Sequence, residues 1–209
     1  MPGQLTLYTD IISPYAWLAM ACLDRMDNRP EMTIKPLLFA GLLNHWEHKG
    51  PAEIPAKKAF TFKYVRWAAD RDGVPLNRPP YHPFNPIRAL RLAIALGATH
   101  EVMMSLFQAI WVDGNLPDDE DGWENIKQAT NCLDADDRIA EAEVKSALIR
   151  NGEEAISKGV FGVPTFSVDD ELFWGLDAMD MLQEYLDDPA GYKARNEGVE
   201  DLKPSATRA

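Results

Sequence analysis

Cysteine is scarce in this chain. Cys22 and Cys132 are the only two in 209 residues, they lie far apart, and no Cys-x-x-Cys occurs. A dithiol redox motif is therefore excluded, and reduced thiols in a cytoplasmic protein are the economical expectation. Long apolar runs are missing too: none approaches the ~20 residues that span a bilayer. The N-terminus has no basic segment followed by an apolar one, so no secretory signal is expected. Basic charge is in short supply, with 21 Lys and Arg against 33 Asp and Glu, a net charge of -12. A surface of that sign repels phosphate backbones, which argues against a nucleic-acid partner. The four histidines, His45, His48, His82 and His100, show no metal-ligand spacing. The acidic run Asp118-Asp119-Glu120-Asp121 lacks the glycine and spacing of a calcium loop and reads as a solvated loop. Internal repeats and low-complexity segments are absent.

What is present suffices for one compact core, or for a domain with a sizeable insertion, since 46% of residues are hydrophobic. Leu5, Leu7 and the run Tyr8 to Ile12 predict a first strand. Ser13-Pro14 then opens a helix, because Ser favours the N-cap and Pro the first helical position. That helix, Pro14 to about Met26, is apolar nearly all round (Trp17, Leu18, Met20, Leu23) and is expected to be buried. Met32 to Phe39 predicts a second, parallel strand reached by a right-handed crossover. From roughly 55 to 158 the periodicity is helical. Phe60, Tyr64 and Trp67 recur at i, i+4, i+7, as do Met103, Phe107 and Ile110; Leu90, Ile94 and Ala98 keep the helical spacing. Breaks fall at Gly73-Val74-Pro75, Pro79-Pro80, Pro83 and Gly114.

The most informative stretch follows, at residues 159–175. Gly159 and Gly162 flank Val163-Pro164, and two short strands are expected at Thr165 to Val168 and Leu172 to Trp174, joined by a turn at Asp169-Asp170. Proline entering a strand is confined to an edge or a first position, and X-Pro alone adopts cis with appreciable frequency. A cis Val163-Pro164 bond would leave the Val163 backbone facing outward, free to pair with a peptide-like ligand; an ordinary edge-strand proline is the alternative. A last helix is expected over Asp177 to Leu186, and 191–209 reads as a loose polar tail.

The order is β-α-β, helical insert, β-β-α. This is an α/β thioredoxin-like arrangement, with residues 1–40 and 159–190 forming the thioredoxin-like domain and 41–158 an all-helical insertion. Ser13 then stands where a redox Cys-x-x-Cys would begin and Ala16 where it would end, so no disulfide can form there. What remains is a hydroxyl at a helix N-terminus, a place that favours an anion and depresses a thiol pKa. A plain N-cap is the competing role for Ser13.

Six segments carry a resemblance: Ser13 to Trp17, Pro55-Ala56-Lys57, Arg66-Trp67-Ala68, Pro83-Phe84-Asn85, Gly159 to Phe166, and the Phe-Trp-Gly-x-Asp motif from Phe173 to Asp177. Together they resemble the 2-hydroxychromene-2-carboxylate isomerases, which stand with kappa-class glutathione transferases in the DsbA-like branch of the thioredoxin superfamily. The resemblance covers about residues 5–187. It implies glutathione as cofactor, a small-molecule substrate and a homodimer. It makes Ser13 the catalytic residue, donating a hydrogen bond to the glutathione thiolate. Val163 and Pro164 would take the cysteinyl part. Trp174, Gly175, Leu176 and Asp177 would take the γ-glutamyl end, although Asp177 can instead cap its own helix. Many relatives carry Asn or Ser at the position of Leu176. Asn44 and Asn85 are implied as substrate contacts. Asn85 can also be an N-cap ahead of Pro86, with its amide N–H₂ still free. Asn44 falls near a slot where relatives place lysine, so Lys57, Arg66 or Arg88 is the candidate cation. Trp46, Trp67, Trp111 and Trp174 read as core or pocket walls, and Cys22 as an inert helix residue.

The implied activity is a glutathione-dependent isomerisation of an aromatic 2-oxo acid, by addition of a thiolate to a conjugated double bond and its elimination. The alternatives are a kappa-like transferase or peroxidase, and a thioredoxin-fold binding module without turnover.

Overall fold

A computed structural model describes residues 3–27 and 29–199. Strand β1 spans Leu5–Thr9, helix α1 Pro14–Cys22 and strand β2 Met32–Pro36. Seven helices follow: α2 Phe39–His45, α3 Pro55–Asp72, α4 Ile87–Ala95, α5 His100–Trp111, α6 Glu120–Ala129, α7 Ala135–Ala140 and α8 Ala142–Ser157. Strands β3 Thr165–Val168 and β4 Glu171–Trp174, then helices α9 Met179–Asp187 and α10 Pro189–Arg195, complete the described chain. The β-α-β and β-β-α halves read from the sequence are both present.

The sheet order is β2-β1-β3-β4, with β1 parallel to β2 and antiparallel to β3, and β3 antiparallel to β4. Tyr8 stands opposite both Lys35 and Thr165. Because β1 and β3 run in opposite directions, the end of β1 lies beside the start of β3. That pairing alone brings the turn before Ser13 next to Val163-Pro164, 150 residues away in sequence.

Helix α1 is buried on nearly every side, as its all-round apolar composition predicts; Ala16, Trp17, Leu18, Ala19 and Met20 are all buried. It lies in a hydrophobic cluster that runs from Leu7 of β1 through Trp17 to Phe107 and Trp111 of α5, so sheet and helical layer share one core. A second, smaller cluster unites Tyr8, Leu37, Leu42, Ala155, Val160 and Val163. Helix α8 packs there: the Tyr8 hydroxyl donates to Glu154 at 2.7 Å, Lys35 pairs with the same carboxylate, and Asn151 donates to the Pro36 carbonyl at 2.8 Å. The acidic run at 118–121 opens α6: Asp119 caps it by accepting from Gly122 N–H at 2.8 Å, and Glu120 pairs with Arg88.

Several details differ from the sequence reading. β2 ends at Pro36 rather than Phe39, which already opens α2, and α9 starts at Met179 rather than Asp177. β1 stops at Thr9 rather than Ile12, because Asp10 turns the chain inward and anchors the next residues. Two members of the aromatic stripe that marks α3 as a helix face solvent, Phe60 65% and Trp67 55% exposed, while Tyr64 is half-buried against the core. The segment beginning at Gly191 is not loose throughout. α10 holds it through Tyr192, which is buried against Phe173 and Tyr185 at ring separations of 5.6 and 5.3 Å. The remainder of the expected tail, from residue 200, lies outside the described residues.

Candidate active site

Ser13 is the N-cap of α1. Its Oγ accepts from the Ala16 N–H at 3.2 Å, and Pro14 occupies the first helical position. Of the three N–H positions that open a helix, Pro14 has none and Ala16 is taken, which leaves the Tyr15 N–H without a partner among the described residues. The Ser13 hydroxyl in turn donates to the Val163 carbonyl at 3.4 Å, beyond the usual range for such a bond. Val163-Pro164 is cis. The Val163 N–H has no hydrogen-bond partner among the described residues, as the sequence reading expected. Its carbonyl differs from that expectation, being weakly engaged by Ser13 rather than free.

The turn that presents Ser13 is fixed from three directions. Asp10, fully buried, accepts from the Ile12 N–H at 3.0 Å and the Phe39 N–H at 2.8 Å, and its carbonyl takes the Ser13 N–H at 3.0 Å. Burial, only partly offset by those donors, pushes the Asp10 carboxyl up to about 7. Trp111 donates to the Ile11 carbonyl at 2.9 Å, and the His82 Nε2 meets the Ile12 carbonyl at 3.0 Å. Burial lowers the His82 pKa, so the ring is neutral near pH 7 and Nε2–H is the donor. Asp10, His82 and Trp111 were not singled out as site residues from sequence. The available signal for Asp10 was a lone carboxylate inside an apolar run; backbone acceptors such as Ile11 and Ile12 leave none.

The far end of the site is built by the 3₁₀ turn Leu176–Ala178. Gly175 sits at φ 99°, a left-handed conformation that suits glycine, and its N–H donates to the Pro164 carbonyl at 2.9 Å. Leu176 is buried in the main core and does not face outward. Asp177 is exposed and caps no helix, since α9 starts at Met179 and its N-cap Ala178 receives no side-chain bond. A groove of about 410 Å³ runs from Tyr64, Leu176 and Asp177 toward Arg25 and Arg71. Trp174, 53% exposed, lies over Gly162 and edge-on to Phe161, ring centroids 5.0 Å apart. Tyr15, two residues past Ser13, meets Tyr64 of α3 at 6.0 Å.

Ser13, Val163 and Pro164 are thus gathered at one point, with Gly175 tied to Pro164. Asn44 is exposed on α2. Asn85 is not the N-cap, since Pro86 holds that place and α4 starts at Ile87; its side-chain oxygen accepts from the Ile87 N–H at 3.1 Å, and its amide N–H₂ has no partner among the described residues. Arg66 is held by Asp70 and the Leu76 carbonyl, and Arg88 by Glu120 and the face of Trp123. Lys57 has no such partner among the described residues. Trp111 is fully buried, Trp67 is largely exposed, and Trp46 is partly exposed with its indole N–H donating to the Val160 carbonyl at 2.9 Å. Cys22 is buried, its thiol pushed up by burial, as befits an inert position.

Residues 4–187 match the family model of the DSBA-like thioredoxin domain. The chain belongs to this family. Within the DSBA-like thioredoxin family its curated relatives include a 2-hydroxychromene-2-carboxylate isomerase of Sphingobium xenophagum, 28% identical, covering 89% of this chain and 99% of that protein. Glutathione S-transferase kappa 2 of Caenorhabditis elegans is 24% identical over 90% of this chain and 95% of its own length. Among solved structures, a 2-hydroxychromene-2-carboxylate isomerase superposes with a TM-score of 0.78 at 20% identity, over 96% of this chain and all of the other. That likeness establishes the DSBA-like thioredoxin fold, with its four-stranded mixed sheet and inserted helices.

Proposed function

We propose that this protein is a glutathione-dependent isomerase of an aromatic 2-oxo acid of the 2-hydroxychromene-2-carboxylate type. The observation that carries the reading is the meeting of the Ser13 hydroxyl with Val163 at the N-terminus of α1, beside the unpaired N–H groups of Tyr15 and Val163. The donor set fits a peptide-like thiol. Val163 N–H and C=O offer a one-residue strand pairing, the exposed Asp177 carboxylate offers an ammonium partner, and the N-terminus of α1 favours an anion. Leu176, turned into the core, leaves backbone contacts open at that end but gives no side-chain hydrogen bond.

Bound glutathione supplies a thiolate nucleophile that can add to a conjugated double bond and leave after rotation. The chain's part is electrostatic and positional. The Ser13 hydroxyl and the Tyr15 N–H hold negative charge on sulfur, and turning the hydroxyl away from Val163 gives up only a long, weak bond. As that hydroxyl leaves, the Val163 carbonyl becomes available to an incoming N–H. Trp174, Phe161 and the amide N–H₂ of Asn85, with Asn44, would line the substrate side, and Lys57 is the cation that stays available for a substrate carboxylate. We place the protein in the cytoplasm as a homodimer that buries the outward Phe60 and Trp67, and we read residues 41–158 as the helical insertion.

Calorimetry with reduced glutathione tests the reading. Absence of heat at millimolar ligand refutes it. With binding in hand, product mass separates two outcomes: an unchanged mass supports the isomerase. A stable glutathionyl adduct supports instead a transferase like the kappa-class relatives.

A further inference from the structure

Asp10 is the one fully buried carboxylate in the turn that builds the site, and nothing assigned so far uses its charge. Its two oxygens accept from Ile12 and Phe39 N–H, so it ties the Ser13 turn to the start of α2, and its own carbonyl holds Ser13. No cation reaches it among the described residues. On β2, Lys35 pairs with Glu154 of α8; on β1, the Tyr8 hydroxyl donates to the same Glu154. His82 of the helical layer bonds the Ile12 carbonyl and is neutral, and His45 stands at the far end of α2. The Asp10 carboxylate is thus a solitary buried negative charge three residues from a helix N-terminus that favours an anion.

We infer that Asp10 is a proton-linked positioning residue: when a thiolate settles against Ser13, Asp10 takes up a proton, so that the site gains one negative charge without holding two. This rests on the reading of Ser13 as a thiolate site. The thiol S–H bond breaks with its electron pair left on sulfur. That proton goes to solvent, and Asp10 draws one from solvent; no direct transfer between them is required. The uptake follows because a second negative charge in a buried turn disfavours an ionised neighbour. Asp10, pushed up to about 7 by burial, is poised to respond at neutral pH.

The test counts protons by calorimetry of reduced glutathione in buffers of different ionisation enthalpy. Near pH 7 an ordinary thiol releases about one proton on becoming a thiolate, while a half-protonated Asp10 recovers about half of one. The wild type is expected to release roughly half a proton and Asp10→Asn about one, a twofold difference. A wild-type series guards against a variant that fails to fold. The thiolate formed at each pH, read by ultraviolet absorbance, counts the protons that leave sulfur; wild-type net release should fall short of that count by about half a proton near pH 7 and by almost nothing at about pH 5.5, where Asp10 is already protonated. A wild-type release equal to the thiolate formed near pH 7, or equal counts in wild type and Asp10→Asn, overturns the linkage while leaving glutathione binding intact. No binding heat at millimolar ligand overturns the thiolate site itself, and the linkage with it.

Discussion

Ser13 carries two roles in one oxygen, and two substitutions separate them. As N-cap it accepts the Ala16 N–H at 3.2 Å; as donor it holds the Val163 carbonyl at 3.4 Å and, in the proposed reaction, the sulfur. Ser13→Ala removes both. Loss of the cap costs about 1 kcal/mol, whereas glycine at an N-cap costs only a few tenths. For a chain of this size about 1 kcal/mol lowers Tm by roughly 2–4 °C, so Ser13→Ala should melt measurably earlier and Ser13→Gly hardly so. The donor role runs differently. A hydroxyl bonded to a charged acceptor contributes about 1.5–3 kcal/mol, and little of it is offset in the free protein because the competing bond to Val163 is long. Losing it should raise the pKa of bound thiol by about 1–2 units, equally in Ser13→Ala and Ser13→Gly. The assay is ultraviolet thiolate absorbance of the glutathione complex against pH, beside a thermal melt of each variant. Equal thiol shifts with unequal melts support the two-role account. A bound-thiol pKa unchanged in both variants refutes it, and assigns the anion to the Tyr15 N–H and the α1 terminus alone.

Other consequences are more local. Burial raises Asp10 from 3.8 to about 7, so the folded state binds its proton more tightly than the unfolded state. That contribution is whole below about pH 4 and is lost as pH rises toward 7. It amounts to on the order of 4 kcal/mol, which Asp10→Asn should flatten in a urea-unfolding series against pH; an unchanged slope would count against the burial argument. Trp111→Phe leaves the buried Ile11 carbonyl without its donor, a loss of about 1–3 kcal/mol in denaturant unfolding; a midpoint equal to wild type would show that the bond is dispensable. A Cβ at Gly162 would stand 2.4 Å from the Trp174 Nε1, so Gly162→Ala should displace the exposed indole and shift its fluorescence while costing little stability. Asp177→Asn should weaken glutathione binding by about twofold to fivefold, the scale of an exposed ion pair, read by calorimetry, yet leave Tm unchanged because Asp177 caps no helix.

The parts legible in the sequence were those written in local punctuation. Ser13-Pro14 marks a helix start, Val163-Pro164 marks a strand entry, and Asp169-Asp170 marks the turn between β3 and β4. Each needs only the conformational preferences of the residues themselves, and chain order then brings two of them together across β1 and β3. What escaped was decided by direction and by backbone. Leu176 reads as a missing polar contact until its side chain is seen to enter the core, and Asp177 reads as a cap until α9 is seen to begin two residues later. Asp10 sits among Tyr8, Ile11 and Ile12, where periodicity makes it one more strand residue; only the inward turn at the end of β1 converts it into the acid that organises the site. His82 and Trp111 grip the carbonyls of Ile12 and Ile11, and carbonyls are common to every residue, so no side-chain pattern betrays them. The consequence is physical as well as interpretive. The reactive position is named by one serine, but its geometry depends on groups more than sixty residues away whose hydrogen bonds reach only the main chain of its turn. Substitutions at His82 or Trp111 should therefore disturb Ser13 without altering any atom of the side chains that the sequence singles out.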